Sequence, residues 1–478
     1  MANQRFFIME EYKIYLAGKF VSTNTEIKIH NPYTEEAFAK SYLAGKDELE
    51  IAIVAAQKAE KTMRELPSFQ RYEILMQIAH ELTNQLHELA KILSDESGKP
   101  MRYAIGEIQR SIQTFTVAAE ESKRLPAEVM SLDWTTAGKG KQGVVRYFPV
   151  GLVAGISPFN FPMNLAVHKI APAIAAGCPI ILKPSTNTPL STLALAKIID
   201  ATSLPKGAVS ILPMSRAEGN QLVTDDRFKL LSFTGSPHVG WMMKAQAGRK
   251  KVLLELGGNA GMVVTKSADL NKAVDKAVIG GFAYSGQVCI HAQRIYVARE
   301  IFDDFAQQFI EKVQNLKVGN PWEDSTEVSA MIDENNAKRV EAWVNEAIED
   351  GAKVLCGGNR HGTYFEPTVL SDTKPKMKVC ALEVFGPVVT LEPFNDFEAV
   401  IDEVNESEFG LQAGIFTNQI DEMDYAFNNL EVGGVIINDS PIFRVDHMPY
   451  GGIKDSGLGR EGLKYAIQEM MEARILVR

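Results

Sequence analysis

The chain is 478 residues long, 45% hydrophobic and 23% charged, with a formal net charge of −10. That length exceeds what one hydrophobic core usually serves, so more than one lobe is expected, and the composition excludes a disordered or fibrous protein. The acidic balance, without a dense Lys/Arg run, argues against a nucleic-acid partner.

In chain order, the opening MANQRFFIMEEYKIYLAGKF has no apolar core followed by a small-residue cleavage site, so no secretory signal is read there. A short strand is expected at Tyr12 to Leu16, then a turn at Asn31-Pro32. Helical periodicity predicts helices over about 46–62, 68–98 and 101–122; Ser97-Gly98-Lys99-Pro100 ends the second, and the third carries Glu107 and Arg110. Residues 128–150, built around Gly138-Lys139-Gly140-Lys141, read as a β-hairpin interrupting the first lobe.

Strands and helices then alternate to about residue 250: strands at Gly151–Ile156, Pro179–Lys183, Val209–Leu212, Leu230–Phe233 and Val252–Glu255, with helices at 163–177, 189–202, 217–223 and 237–246 between them. Such spacing implies right-handed crossovers and a parallel sheet, hence an α/β fold with a Rossmann-type lobe. A second alternating series fills about 260–437. The closing strand, Ala473–Val477, has no local partner left and is expected to pair with the hairpin or with another subunit. Leu165 to Leu182, the longest mostly apolar stretch, contains His168, Lys169 and prolines, and reads as a buried helix and strand, not a membrane span. Four cysteines without a C-x-x-C pair fit a reducing cytoplasm.

Three residues carry candidate chemistry. Cys289 lies in the glycine-containing turn Ser285-Gly286-Gln287-Val288-Cys289, where it is either a structural thiol or a nucleophile. Glu255 closes a strand before Gly257-Gly258, at the strand end where α/β sheets place ligands, and its leucine neighbours disfavour the charged form, as suits a general base. Asn160 is pinned between Pro158 and Pro162, so its amide can be aimed at an oxyanion. No G-x-G-x-x-G follows the first strand of the alternating lobe. Ser236-Pro237, however, reads as a helix cap with proline at the first helical position, an N-terminus suited to a pyrophosphate.

These residues, with Pro149-Val150-Gly151, Ser157-Pro158-Phe159-Asn160-Phe161-Pro162, Lys183-Pro184-Ser185, Phe233-Thr234-Gly235-Ser236, Leu254-Glu255-Leu256-Gly257-Gly258, Gly286-Gln287-Val288-Cys289, Glu383-Val384-Phe385-Gly386-Pro387 and Pro449-Tyr450-Gly451-Gly452-Ile453-Lys454-Asp455-Ser456-Gly457, resemble the aldehyde dehydrogenase superfamily from about residue 12 to the end. The nearest branch is that of the non-phosphorylating glyceraldehyde-3-phosphate and lactaldehyde dehydrogenases. The resemblance implies a catalytic set of Cys289, Glu255, Asn160 and Lys183. In it Cys289 attacks the aldehyde, Asn160 holds the oxyanion, and Glu255 activates water to hydrolyse the thioester. Branches that pass the acyl group to coenzyme A lack this glutamate, so hydrolysis is expected over acyl transfer or a catalytically retired homologue.

The resemblance also implies a nicotinamide dinucleotide held by Ser157, Pro158, Phe159, Lys183, Ser185, Thr186, Gly219, Phe233, Thr234, Gly235, Ser236, Leu256, Glu383 and Phe385. In it Lys183 serves the adenosine ribose and Glu383 the nicotinamide ribose. Thr186 replaces the glutamate that often marks NAD preference; its hydroxyl beside Lys183 accommodates a 2′-phosphate, so NADP is expected to serve at least as well as NAD. No metal is expected. For the substrate, Asn160, Phe161, Arg110 and Arg444 are the candidates, and each arginine reads equally as a surface or interdomain ion pair. Val288 and Phe161 stand where the glyceraldehyde-3-phosphate branch has an arginine and a tyrosine, so the expected substrate is a small polar aldehyde without phosphate, such as lactaldehyde, glycolaldehyde or a semialdehyde.

The expected organisation is a cofactor lobe (1–127 and 150–256), a catalytic lobe (257–455) and an arm (128–149 and 456–478). Its strand edges need covering in a homodimer or homotetramer.

Overall fold

The computed structural model describes residues 9–478, so most of the apolar part of the opening segment on which the signal-peptide reading rests lies outside the described residues. An eight-stranded sheet forms the first lobe, in the order Gly457–Leu458, Lys251–Glu255, Leu230–Thr234, Val153–Ile156, Ile180–Lys183, Val209–Ile211, Ile14–Leu16, Lys19–Val21. From Lys251–Glu255 across to Val209–Ile211 the strands are parallel, while the flanking ones run antiparallel. Chain order reverses between Val153–Ile156 and Leu230–Thr234, which opens a crevice at their carboxyl ends.

The helix after the first of these strands, Pro162–Ala176, begins with proline at its first position, ends at the left-handed Gly177 and is buried along its whole length. It is the apolar stretch read from the sequence as a helix, and no described helix is long and apolar enough to cross a membrane. The expected 68–98 helix is instead two, Ser68–Asn84 and Leu86–Ser97. Gln85 leaves helical geometry (φ −105°, ψ 15°), and the break lets Leu89, Ala90 and Leu93 turn into the core. Periodicity alone does not register such a redirection, since both halves keep helical spacing.

The second lobe carries a seven-stranded sheet in the order Lys353–Cys356, Thr368–Ser371, Val388–Phe394, Arg294–Ala298, Gly261–Val264, Gln412–Phe416, Gly434–Ile437, parallel except at its first pair. A three-stranded antiparallel arm joins Ala127–Ser131, Gln142–Pro149 and Met471–Val477. The closing strand thus pairs with the hairpin of its own chain. The arm strand starts only at Met471. Between 456 and 470 the chain returns to the first lobe, where Gly457–Leu458 pairs with Lys251–Glu255 and helix Leu463–Glu469 packs on Pro162–Ala176.

Candidate active site

A cavity of about 410 Å³ lies between the two large sheets. From the first lobe it receives Pro158, Phe159 and Asn160, then Thr234, Gly235 and Ser236, then Glu255, Leu256 and Gly257; each group follows the carboxyl end of a strand. From the second lobe come Cys289, Glu383, Phe385 and Arg444. A larger cavity of about 490 Å³, around Arg294, Cys380 and Glu392, contains none of the residues singled out in the sequence.

Cys289 follows a strained turn. Tyr284 (φ 49°) and Ser285 (φ 53°) both adopt left-handed backbone, an arrangement that persists only where the surroundings over-determine it. Here Ser285 Oγ donates to Ser329 O at 2.8 Å, and Gln287 Oε1 accepts from Ile332 N at 2.9 Å. Gly286 continues at φ 67°, and a Cβ there would lie 2.1 Å from the Gly386 carbonyl oxygen. Only glycine lets the thiol loop meet the loop bearing Glu383 and Phe385.

Asn160 sits 3.0 Å from Gln287 O through Nδ2, which ties it to the thiol loop and leaves its second amide hydrogen to point elsewhere. Its backbone carbonyl accepts from Lys99 Nζ at 2.7 Å. Lys99 is completely buried, paired with the equally buried Glu107 and placed 3.9 Å from the Phe161 ring centre and 4.3 Å from that of Tyr284. Glu107 in turn accepts from the Met163 and Asn164 amides, the free N–H groups at the start of the buried helix. One ion pair therefore fixes the asparagine, the helix start and the ring beside the thiol loop.

The carboxylates differ. Glu255 is buried, and its Oε2 has no hydrogen-bond partner among the described residues. Burial first, and then the negative charge of Glu461, push its pKa well above the carboxylate range. Glu461 goes the other way: burial opposes its ionisation, but Lys169, His168 and Arg444 together bring it down to about 2. Glu383 accepts from Gly258 N at 3.0 Å, and burial raises it to about 7. A side chain at Gly257 would run into its Oε2 at 2.4 Å. Burial also pushes the Cys289 thiol up to about 11, with a hydrogen bond from Tyr450 acting against it.

Other predicted residues lie outside this cavity. Ser157, Phe161, Phe233 and Ser185 do not line it, and Phe161 packs on Tyr284 instead. Lys183, counted with the catalytic set, stands apart from the thiol: it lies across Gly219, where an added Cβ would meet its Cε at 2.8 Å. Burial and then the nearby Arg216 lower its pKa to about 8, and Thr186 lies three residues along, in the bend that follows the strand. Ser236 occupies the expected cap position, with Pro237 at the first helical one, yet its side chain makes no cap bond. Arg110 pairs with Asp446 (2.7 and 3.4 Å) away from the cavity, while Arg444 lines it but is bound to Glu461 at 2.8 Å. Both arginines thus make interdomain ion pairs. Sequence reading missed Tyr450, Glu461, Asn336, Arg339 and Trp343 as lining residues. Tyr450 was in a quoted motif without a role. The others gave no local signal, because only the fold brings them in.

The aldehyde dehydrogenase family model matches residues 20–476. The chain belongs to the aldehyde dehydrogenase family. It is an oxidoreductase with that family's α/β fold. It is 42% identical to a 3-sulfolactaldehyde dehydrogenase of Priestia aryabhattai, over 98% of each chain. Among solved structures it is similar to aldehyde dehydrogenase 21 of Physcomitrella patens in complex with the reaction product succinate (46% identity, TM-score 0.97, 98% of each chain). Glyceraldehyde-3-phosphate dehydrogenase of Methanocaldococcus jannaschii complexed with NADP is also close (41% identity, TM-score 0.91, 95% of this chain and 100% of the other).

Proposed function

We propose that the protein oxidises a small polar aldehyde to its acid with NADP or NAD, using Cys289 as nucleophile and Glu255 as the base for hydrolysis. The observation that carries this reading is the convergence of Cys289, Asn160, Glu255 and Glu383 on one cavity between the lobes.

The residues present fit a nicotinamide dinucleotide. Phe159 and Phe385 face each other edge to face, 5.8 Å apart, Gly257 leaves room for Glu383, and the helix starting at Pro237 turns its N-terminus toward the cavity. A nicotinamide held there would supply the acceptor for the hydride of the aldehyde carbon. The Cys289 thiolate forms the carbon–sulfur bond, and the free Asn160 amide hydrogen with the Cys289 backbone N–H holds the resulting oxyanion. After hydride loss the acyl group is a thioester on Cys289. Glu255, when ionised, takes a proton from water as its oxygen attacks the thioester carbon, and the acid leaves as the thiolate is restored.

Thr186 and the cationic pair Lys183 and Arg216 beside it support NADP over NAD. A small hydroxy- or carboxy-aldehyde, such as lactaldehyde, glycolaldehyde or a semialdehyde, suits the cavity's volume. The relatives' sulfolactaldehyde activity and bound succinate point to the same class. Arg444 lines the cavity and acts on the Cys289 sulfur, and its Nε has no partner among the described residues, so it is the assigned contact for the polar group, with Arg110 behind Phe161 as support. Acyl transfer to coenzyme A and a retired site are not favoured, since Glu255 and Cys289 are both present in the cavity.

The three-part division is kept, with the arm's third strand beginning at Met471. Exposed Val129, Ile475, Leu476 and Val477 on the arm support a homodimer or homotetramer. Four free thiols fit a reducing cytoplasm.

The test is pre-steady-state absorbance at 340 nm with NADP and the aldehyde. Glu255→Gln is expected to give one burst of reduced cofactor per site and then turn over about 100- to 10,000-fold more slowly than wild type. Steady turnover at the wild-type rate would overturn the hydrolytic role. The same assay with NAD ranks the cofactors.

A further inference from the structure

We propose that the Tyr450 hydroxyl is a catalytic group of this site, donating a hydrogen bond to the Cys289 thiolate and so increasing the ionised share of the nucleophile at neutral pH. This rests on the reading of Cys289 as nucleophile.

The geometry is direct. Tyr450 Oη lies 3.1 Å from Cys289 Sγ, within hydrogen-bond range for sulfur, and Tyr450 is only 3% exposed. A thiolate sulfur can only accept, so in the ionised state the proton of that bond belongs to the phenol. The phenol remains a donor because burial, followed by the adjoining cysteine, holds its own pKa far above neutral.

The ring has little freedom to leave. Tyr450 N donates to Glu461 O at 3.0 Å, and Glu461 N donates back to Tyr450 O, so two backbone bonds clamp the residues together. The Glu461 carboxylate grips Arg444 at 2.8 Å, and the Arg444 guanidinium carbon stands 3.7 Å from the Tyr450 ring centre. A cation over the ring draws electron density from the phenol and makes its O–H a better donor. Glu461, ionised and hydrogen-bonded, thus acts on the sulfur through Arg444 and Tyr450.

The charged groups turned toward the sulfur are Glu383 and Glu255, which oppose ionisation, and Arg444, which favours it. Of these and Tyr450, only the tyrosine makes a hydrogen bond to Sγ among the described residues. On ionisation the thiol proton leaves to solvent in the cavity and the Tyr450 proton stays on its oxygen. When the sulfur attacks, its electron pair forms the S–C bond and the carbonyl π pair moves to oxygen. The bond to Tyr450 then weakens, because the charge it served has moved to the oxyanion.

The experiment is alkylation of the full-length protein by iodoacetamide from pH 6 to 10, with modification of the Cys289 peptide followed by mass spectrometry. Wild type, Tyr450→Phe and Cys289→Ala are compared. Tyr450→Phe removes one oxygen and keeps the ring, and circular dichroism checks its fold. The expected result is alkylation about tenfold slower than wild type at each pH of the series, as a thiol pKa raised by about one unit gives below its midpoint. The burst of reduced cofactor should slow by a similar factor with little change in KM. As a second perturbation, wild-type chain made with 3-fluorotyrosine carries more acidic phenols, and alkylation of its Cys289 is expected to quicken. An unchanged alkylation rate in folded Tyr450→Phe, faster alkylation there, or slower alkylation with 3-fluorotyrosine would each overturn the proposal. A Cys289→Ala protein that still turns over would instead remove the nucleophile reading beneath it.

Discussion

Replacing Lys99 with methionine leaves Glu107 as a carboxylate at zero exposure without its cation. Breaking one partner of a fully buried pair costs about 3–5 kcal/mol, because the remaining charge keeps its desolvation penalty and loses its compensation. Glu107 retains the Met163 and Asn164 amides, which places the expected loss toward the lower end, about 3 kcal/mol. Asn160 also loses the ammonium that holds its carbonyl at 2.7 Å, so its amide is no longer aimed. A misplacement on the order of 1 Å in a catalytic group costs roughly a hundredfold. Lys99→Met should therefore lower the urea midpoint and depress kcat about 10- to 100-fold while KM changes little. Lys99→Met combined with Glu107→Gln removes both charges and should regain at least half of the lost stability, but not the activity. Urea unfolding by tryptophan fluorescence and steady-state kinetics read the two effects. Stability within about 1 kcal/mol of wild type in the single variant, or equal losses in single and double, would refute the reasoning.

Asn160→Ala should lower kcat about 100- to 1,000-fold, the usual effect of deleting one oxyanion donor, with KM nearly unchanged; a drop below tenfold would assign the oxyanion to other donors. Glu383 predicts a pH dependence of stability. Its folded pKa of about 7 lies above the unfolded carboxylate value, so the folded state binds the extra proton. The contribution is fully present below about pH 4.5 and is lost as pH rises through 7, on the order of 2–3 kcal/mol. Glu383→Gln should thus lose less thermal stability than wild type between pH 5 and pH 8, as differential scanning fluorimetry would show; parallel losses would contradict the raised carboxyl pKa.

The alternation of strands and helices was legible in the chain because burial on both faces of a parallel sheet writes itself as apolar runs between amphipathic segments. Cys289, Asn160 and Glu255 were legible because each sits where local backbone forces a terminus: a glycine turn, a proline-bracketed loop, a strand end. Their rigid neighbours left marks in sequence, and those marks sufficed to propose the chemistry.

The partners of those groups were decided by tertiary structure alone. Lys99 and Asn160 are far apart in the chain, as are Arg444 and His168, and no local pattern encodes a contact made by folding lobes together. Periodicity carried helix 68–98 straight through Gln85, since the change of direction there answers to packing and not to spacing. The arginines show the same limit. Sequence offered each as an anion contact or an ion pair; the ion pairs come from Asp446 and Glu461, carboxylates whose positions only the assembled fold fixes, and Arg444 keeps its place on the cavity wall beside its pair. Charge interactions act through space with no memory of chain order, so the sequence specifies which charges exist, and the fold determines which of them meet.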